Sequence, residues 1–216
     1  ESIAQEVQTN FFYADTATTP ERFKGLGARY NSLSNPNVID GGGSGNDNMS
    51  VWFVTHGANQ TRLFYPEGTT AGISRKDKGE QRVTDDLGNA YYGKEEEFRQ
   101  HVGVSVGDWR FNSRIANIDV SELIAGTVDV YALLRKAYWA LQGRRNGRIQ
   151  NGGMVSMGKT VMYANSTFME ALDAATTNAQ KVELRPQEVA GQEVLTYRGI
   201  PIRETDALIE SEAAVA

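Results

Sequence analysis

The spacing of apolar residues changes near residue 120, and this change constrains the fold more than any other feature of the sequence. Before it, runs of aromatic and β-branched residues predict strands at 50–57, 61–66 and 80–86, then further extended segments broken near Gly107. After it, 128–142 has apolar residues three to four positions apart, which predicts an amphipathic helix. Strands that precede helices without regular alternation of the two predict an α+β fold.

Further local signals fill in this pattern. The runs 50–57 and 61–66 are separated by a short Gly-Ala-Asn-Gln turn, which predicts a β-hairpin. Towards the C-terminus, 159–165 predicts another strand, and 166–177 predicts a helix that begins with Thr167 and Glu170 in capping-box register. Three more β-prone segments follow, VELRP, EVLTYR and GIPIR.

The chain opens with ESIAQEVQTNFFY, in which Ile3, Val7 and Phe11 lie four residues apart. This spacing predicts a helix over 1–13. Because the helix starts at the first residue, with neither a cap nor an initiating Met, we expect a processed or truncated chain. Residues 14–50 are rich in Thr, Pro, Asn and Gly, which predicts a long irregular connection.

The composition is that of a folded globular protein, with 40% hydrophobic and 23% charged residues in a chain of 216. The formal net charge of -5 argues against a dedicated nucleic-acid binder, because such proteins carry a basic excess that neutralises phosphates. The absence of cysteine excludes thiol nucleophiles, thiolate metal sites and disulfides. No apolar run approaches the length of a membrane-spanning helix.

A glycine-rich segment, GGMVSMGKT, matches the phosphate-binding pattern of nucleotide hydrolases through Gly153, Gly158, Lys159 and Thr160. In a true phosphate loop an apolar strand leads into the glycines, and the Lys-Thr pair opens a helix whose amides hold the phosphates. Here an arginine-rich loop comes before the match and the β-prone run VMY comes after it. We therefore interpret the match as coincidental and predict no cofactor. A phosphate-loop nucleotide-binding enzyme that uses 153–160 is the alternative.

No other constellation of residues predicts catalysis. His56 and His101 lie in predicted strands, without a second ligand at a metal-binding spacing. The acidic run Glu95, Glu96 and Glu97 offers a carboxylate pair for acid–base chemistry, but a solvated strand face or a subunit contact is favoured. The sequence therefore predicts neither catalytic residues nor a metal site.

Five blocks of sequence follow one another in an order that is known from one protein family: ATTPERFKGLGARYN, NVIDGGGSGNDNMSVWFVTHG, LFYPEGTTAG, VGDWRFNSRIANID and YRGIPIRETDALIESEA. They resemble the major capsid proteins of short-tailed bacteriophages of the epsilon-fifteen type, and the resemblance runs from about residue 11 to the C-terminus. It implies the Hong Kong 97-type capsid fold. In that fold 1–13 would be the end of a spine helix and 51–216 a body with axial and peripheral regions. The family's N-terminal arm and extended loop would lie upstream of this sequence.

The resemblance also implies a structural role without an active site. Many copies would tile an icosahedral virion shell around double-stranded DNA, after synthesis in the host bacterial cytoplasm. The implied partners are the chain itself, as pentamers and hexamers, and packaged DNA held without sequence preference. Scaffolding, portal and decoration proteins are further candidates, and no membrane is implied. A cargo-enclosing nanocompartment shell protein of the same fold is the alternative.

Several charged residues are candidates for contacts in such a shell. Arg110 and Arg114, four apart in a predicted extended segment, are expected to share a face, where each can hold a carboxylate between subunits or within the chain. The candidate subunit contacts are Arg110, Arg114, Glu95, Glu96 and Glu97. The candidate DNA-facing residues are Arg144, Arg145 and Arg148, for which a solvated loop is the alternative.

Overall fold

The computed structural model describes residues 2–69, 72–141, 148–150, 153–155, 158–179, 184–189 and 192–216. Contacts between residues divide the chain into two compact units. The first, termed the body, comprises Glu1–Arg62 and Val104–Ala216. The second, termed the hairpin unit, comprises Leu63–Gly103.

The described residues form both helices and strands. The helices are α1 (Ser2–Tyr13), α2 (Val120–Ile124), α3 (Val130–Ala140) and α4 (Ser166–Ala179), and Trp109–Phe111 forms a 3-10 turn. The strands are β1 (Val38–Asp40), β2 (Asn48–His56), β3 (Thr61–Phe64), β4 (Ser74–Thr84), β5 (Ala90–Arg99), β6 (Gly103–Val106), β7 (Ser113–Asp119), β8 (Arg148–Gln150), β9 (Gly153–Val155), β10 (Lys159–Ala164), β11 (Leu184–Val189), β12 (Gln192–Tyr197) and β13 (Ile200–Glu204).

The body is built on a nine-stranded mixed sheet, whose main order is β1-β7-β2-β10-β13-β12-β11. β2 lies in the middle because NMSVWFVTH carries large apolar side chains towards both faces, and all its residues except His56 are buried. It pairs antiparallel with β7 and with β10. β1 pairs with β7, and β13 with β10, in parallel.

Alternate residues of β2 point into two cores, one on each face of the sheet. The core on the side of α2, α3 and α4 includes Met49, Val51, Phe53, Leu134 and Phe168. The core on the side of α1 and the connection after it includes Trp52, Val54, Phe12, Leu26 and Tyr30. A mixed sheet covered on both faces confirms the predicted α+β class.

Short polar side chains cap the helices of the body. The carboxylates of Asp119 and Asp129 accept backbone N–H groups in the first turns of α2 and α3. At α4 the side-chain oxygen of Asn165 accepts the N–H of Thr167 at 3.0 Å. The cap predicted at Thr167 is therefore wrong by two positions, because Asn165 already offers an oxygen where the chain leaves β10. The Thr167 hydroxyl donates to Glu210 instead.

The β-hairpin predicted from 50–57 and 61–66 is wrong. β3 pairs with β2 in parallel, through His56 and Thr61, rather than antiparallel. β7 pairs with residues 48–53 of β2 and β10 with residues 52–56, so only the end of β2 is left for β3. Only Thr61 of β3 is buried.

The hairpin unit contains a two-stranded antiparallel sheet of β4 and β5. The strand and turn predicted around 80–90 are confirmed, although β4 begins earlier, at Ser74. The turn is closed by the carboxylate of Asp85, which accepts the backbone N–H groups of Leu87 at 3.0 Å and Asn89 at 2.7 Å. Every described residue of this unit is exposed or half-buried, so its described part has no core of its own.

Candidate functional site

The segment that matches the phosphate-binding pattern runs into a strand. Gly153 lies in β9, and Lys159 and Thr160 are the first two residues of β10, which pairs with β2. Thr160 is buried, and its hydroxyl oxygen lies 2.9 Å from that of Thr55. A phosphate loop needs the Lys-Thr pair at the start of a helix. The strand predicted after the match is confirmed, and it directs Thr160 into the sheet.

Gly158 has a structural reason to be glycine that is unrelated to phosphate. Its φ is +85°, and a Cβ at this position would lie 2.4 Å from the carbonyl oxygen of His56. Glycine alone combines a left-handed backbone conformation with so close an approach. The second glycine of the pattern is therefore explained by the way the chain enters β10 beside β2.

The two histidines lie in different units, His56 in the body and His101 in the hairpin unit. His56 ends β2 and is half-buried, with its Nε2 2.9 Å from the hydroxyl of Tyr163, and burial lowers the pKa of His56 below its ordinary value. His101 is exposed and lies between β5 and β6 rather than in the predicted strand. Within the described ranges, no group of three or more His, Asp or Glu residues is arranged to hold a metal ion.

Arg110 and Arg114 do not share a face. Arg110 lies in the 3-10 turn, where its exposed guanidinium pairs with Asp108 at 2.7 Å. Arg114 lies in β7, is only 5% exposed and pairs with Glu212 at 2.7 Å. The expected shared face is wrong because the turn interrupts the extended segment before β7 begins at Ser113. Each arginine holds a carboxylate of its own chain.

The Arg114–Glu212 pair is the centre of a buried polar network. Arg114 also donates to the hydroxyl of Ser50 at 3.0 Å and to the carbonyl oxygen of Tyr30 at 2.8 Å. Its guanidinium carbon lies 5.1 Å from the ring centroid of Trp52, within the range of a cation–π contact. Ser50 in turn donates to the Glu212 carboxylate. Both buried charges therefore have partners, which buried ions require.

Tyr13, the last residue of α1, joins this network by donating its hydroxyl proton to Glu212. Burial, and then the charge of Glu212, raise the pKa of Tyr13 well above its ordinary value. Backbone hydrogen bonds between Asn48 and Glu212 hold the C-terminal segment to β2. The side chain of Asn117 in β7 bonds the backbone of Val215 twice, at 3.0 and 2.7 Å. One network thus joins α1, the central strands and the C-terminal segment.

The hairpin unit carries most of the exposed large apolar side chains of the described residues. Nine of the thirteen lie there: Leu63, Phe64, Tyr65, Ile73, Val83, Leu87, Tyr91, Tyr92 and Phe98. Val83 and Tyr91 face each other across the two strands, and Leu87 in the turn is 88% exposed. Apolar side chains concentrated on one exposed unit indicate a contact surface.

Six charged residues of the hairpin unit pair with one another. Arg75 pairs with Glu96, Lys78 with Glu95 and Glu97, and Arg99 with Glu97. The charges of Arg99 and Lys78 lower the pKa of Glu97. All three carboxylates of the acidic run therefore have partners inside the hairpin, and their contact with another subunit stays a prediction.

The candidate DNA-facing arginines lie in a part of the chain that is not described at the level of side chains. Arg144 and Arg145 lie outside the described residues. The backbone of Arg148 begins β8, but its side chain also lies outside the description. Contact of these three residues with DNA stays a prediction.

Sequence patterns missed two features that the structure shows. Glu212 lies in an irregular terminal segment, and no local spacing connects it with Arg114. The apolar surface of the hairpin unit left a weak signal, because Tyr91 and Tyr92 are adjacent and strand neighbours point to opposite faces. Two bulky aromatic residues on opposite faces of an exposed strand cannot both be covered by one neighbouring layer.

A sheet covered on both faces, a buried ion pair and an exposed apolar surface on the hairpin unit indicate a protein that packs against other chains. A family model described as "Major capsid protein GP7" matches residues 1–216, so the chain belongs to this family of major capsid proteins. Among solved structures, a chain of bacteriophage Epsilon15, determined by cryo-EM and modelling, is 33% identical with a TM-score of 0.60. That match covers 99% of this chain and 64% of the Epsilon15 chain.

One further comparison and one structural finding complete these results. The search of curated proteins gave no match. In the described part of the chain, no helix is both long enough and apolar enough to span a membrane. The present chain spans just under two thirds of the Epsilon15 chain, 64% of its length.

Proposed function

We propose that this chain is a structural subunit of an icosahedral bacteriophage head, in which many copies assemble around double-stranded DNA. The observation that carries the proposal is the agreement of two comparisons over the whole chain. The capsid family matches residues 1–216, and 99% of the chain is similar in structure to a chain of bacteriophage Epsilon15. A subunit of a phage head is located in the virion.

The partners in this proposal are further copies of the chain and the packaged DNA. The net charge of -5 suits a shell wall, because a strongly basic inner surface would bind DNA tightly and in a salt-sensitive way. Contacts with DNA would then be few and without sequence preference. Scaffolding, portal and decoration proteins remain candidate partners on the same basis.

The proposed role needs no catalysis. Two observations support a role without catalysis: the family is one of structural proteins, and the phosphate-loop match lacks the geometry of a phosphate loop. Lys159 and Thr160 begin a strand, and the Thr160 hydroxyl is engaged with Thr55 inside the sheet. A nucleotide phosphate would have to displace that contact and would find no helix N-terminus at this position.

Electron microscopy of the purified protein, expressed with any sequence that its gene encodes on either side of these residues, tests the proposal. Closed shells of uniform size are expected. Nuclease-protected, genome-length double-stranded DNA inside shells from infected cells would identify a phage head, whereas an enclosed protein cargo would identify a nanocompartment. Persistent monomers at high protein concentration would refute the proposal.

A further inference from the structure

We infer that the hairpin unit, Leu63–Gly103, is a contact arm that packs against a second copy of this chain; the inference rests on the proposed shell function. A two-stranded sheet alone is marginally stable in water, and it needs a third strand or a packed neighbour. The described residues of this unit include no buried side chain that could form a core. The missing stabilisation must therefore come from a surface that packs against it.

The apolar residues near the turn show how such a surface would engage the hairpin. Val83 and Tyr91 lie on one face, and Tyr92, 77% exposed, lies on the other. Leu87 lies in the turn that joins the two strands. The Asp85 carboxylate accepts backbone N–H groups of this turn and so fixes its backbone. Because both faces and the tip are apolar, a partner has to surround the end of the hairpin rather than cover one side.

The backbone of the hairpin offers a second mode of contact. Among the strands that the structure describes, β4 and β5 pair only with each other, so each has an outer edge without a described strand beside it. Exposed edges of this kind accept a further strand. A standard interface uses roughly 20–30 residues on each side, and the two strands with their turn are large enough to supply one side.

Charge favours a second copy of the chain over DNA as the partner. β4 contains four basic and two acidic residues, β5 contains two basic and three acidic residues, and the turn adds Asp85 and Asp86. The hairpin is therefore close to neutral and lacks the basic excess that phosphate contacts need. Arg75 and Lys78 of β4 already pair with glutamates of β5 in the same hairpin, so this near-neutral surface can pack against the same surface of a second copy without like-charge repulsion.

Hydrogen–deuterium exchange tests this inference on the intact protein, compared as dissociated subunits and as assembled empty shells. Backbone amides of β4 and β5 are expected to exchange rapidly in subunits and at least about tenfold more slowly in shells. Amides of the buried strand β2 serve as the internal control, with slow exchange in both states. Unchanged exchange of β4 and β5 on assembly would overturn the inference, and so would protection seen only in DNA-filled particles.

A matched pair of variants tests the tip. Leu87→Ser and Ile124→Ser each replace an exposed aliphatic residue, 88% and 72% exposed, in the hairpin unit and the body respectively. Both should fold as the wild type does by circular dichroism, but only Leu87→Ser should lower the yield of shells, by at least about tenfold. Equal yields of the two would overturn the role of the tip. Absence of wild-type shells would overturn the proposed function itself, whereas normal shells with an unprotected hairpin would overturn the contact arm alone.

Discussion

Replacing Glu212 by Gln tests whether the buried network holds the body together. The substitution keeps the shape of the side chain but removes the negative charge that faces Arg114 at 2.7 Å. Arg114 stays charged because a guanidinium is not deprotonated in proteins. Both side chains are only 6% exposed, so water cannot take the place of the carboxylate. The variant therefore leaves a buried cation without its counter-ion.

The expected loss is large for a single substitution. Removing one partner of a buried ion pair costs about 3–5 kcal/mol of unfolding free energy. The loss should lie near the lower end, because the Gln oxygen can still accept one hydrogen bond and Arg114 keeps its bonds to Ser50 and Tyr30. For a chain of this length, each kcal/mol lowers Tm by about 2–4 °C. A loss of about 3 kcal/mol then corresponds to roughly 6–12 °C.

Urea unfolding, followed by circular dichroism and tryptophan fluorescence, measures this loss. Asp108→Asn is the matched control, because it makes the same carboxylate-to-amide change at the exposed Arg110–Asp108 pair. Solvent screening leaves little stability to lose at that surface pair. If Glu212→Gln lowered the unfolding free energy no more than Asp108→Asn, the stabilising role of the buried network would be refuted.

Three other predictions concern the region where β2 meets β10. Gly158→Ala should destabilise the body more than Gly126→Ala: both glycines have positive φ, +85° and +73°, but only at Gly158 does the added Cβ meet a backbone atom. Gly126→Ala should cost about 1 kcal/mol from backbone conformation alone, and equal Tm shifts of the two variants would contradict the clash. Stability should fall as the pH drops below 6.5, because burial lowers the pKa of folded His56 and the unfolded chain then binds a proton that the folded chain does not. His56→Gln should flatten unfolding free energy against pH, and an unchanged slope would show that other groups control it. Calorimetric titration with ATP or GTP should show no saturable binding, for wild type and Lys159→Ala alike; binding that the variant abolishes would instead favour the nucleotide-binding alternative.

Much of the fold could be predicted because the relevant signals are local. The apolar, β-branched sequences of β2 and β10 specify strands by their own composition, and the apolar stripe of α3 specifies a helix that packs on a sheet. Sheet neighbours could not be predicted in this way. β2 takes its partners from 113–119 and 159–164, so the short turn after Gly57 suggested a hairpin that the distant strands prevent.

The phosphate-loop match shows why a local pattern needs its structural setting. The sheet explains the residue type at two of the four matching positions. Gly158 is needed for a left-handed turn against His56, and Thr160 for a buried hydroxyl pair with Thr55. The β-prone residues after the match predicted a strand, whereas the motif itself would have predicted a helix. The structure has the strand, β10.

Arg110 and Arg114, both in the body, show which contacts the sequence alone does not predict. The partner of Arg110 is two residues away, whereas the partner of Arg114 comes from the C-terminal segment, where no pattern marks it. The body thus satisfies its buried charges internally. The hairpin unit pairs six of its charged residues internally, but it leaves its apolar side chains exposed. What the hairpin unit leaves open is therefore apolar contact and backbone pairing, and in the proposed shell an adjacent copy of the same chain would supply both.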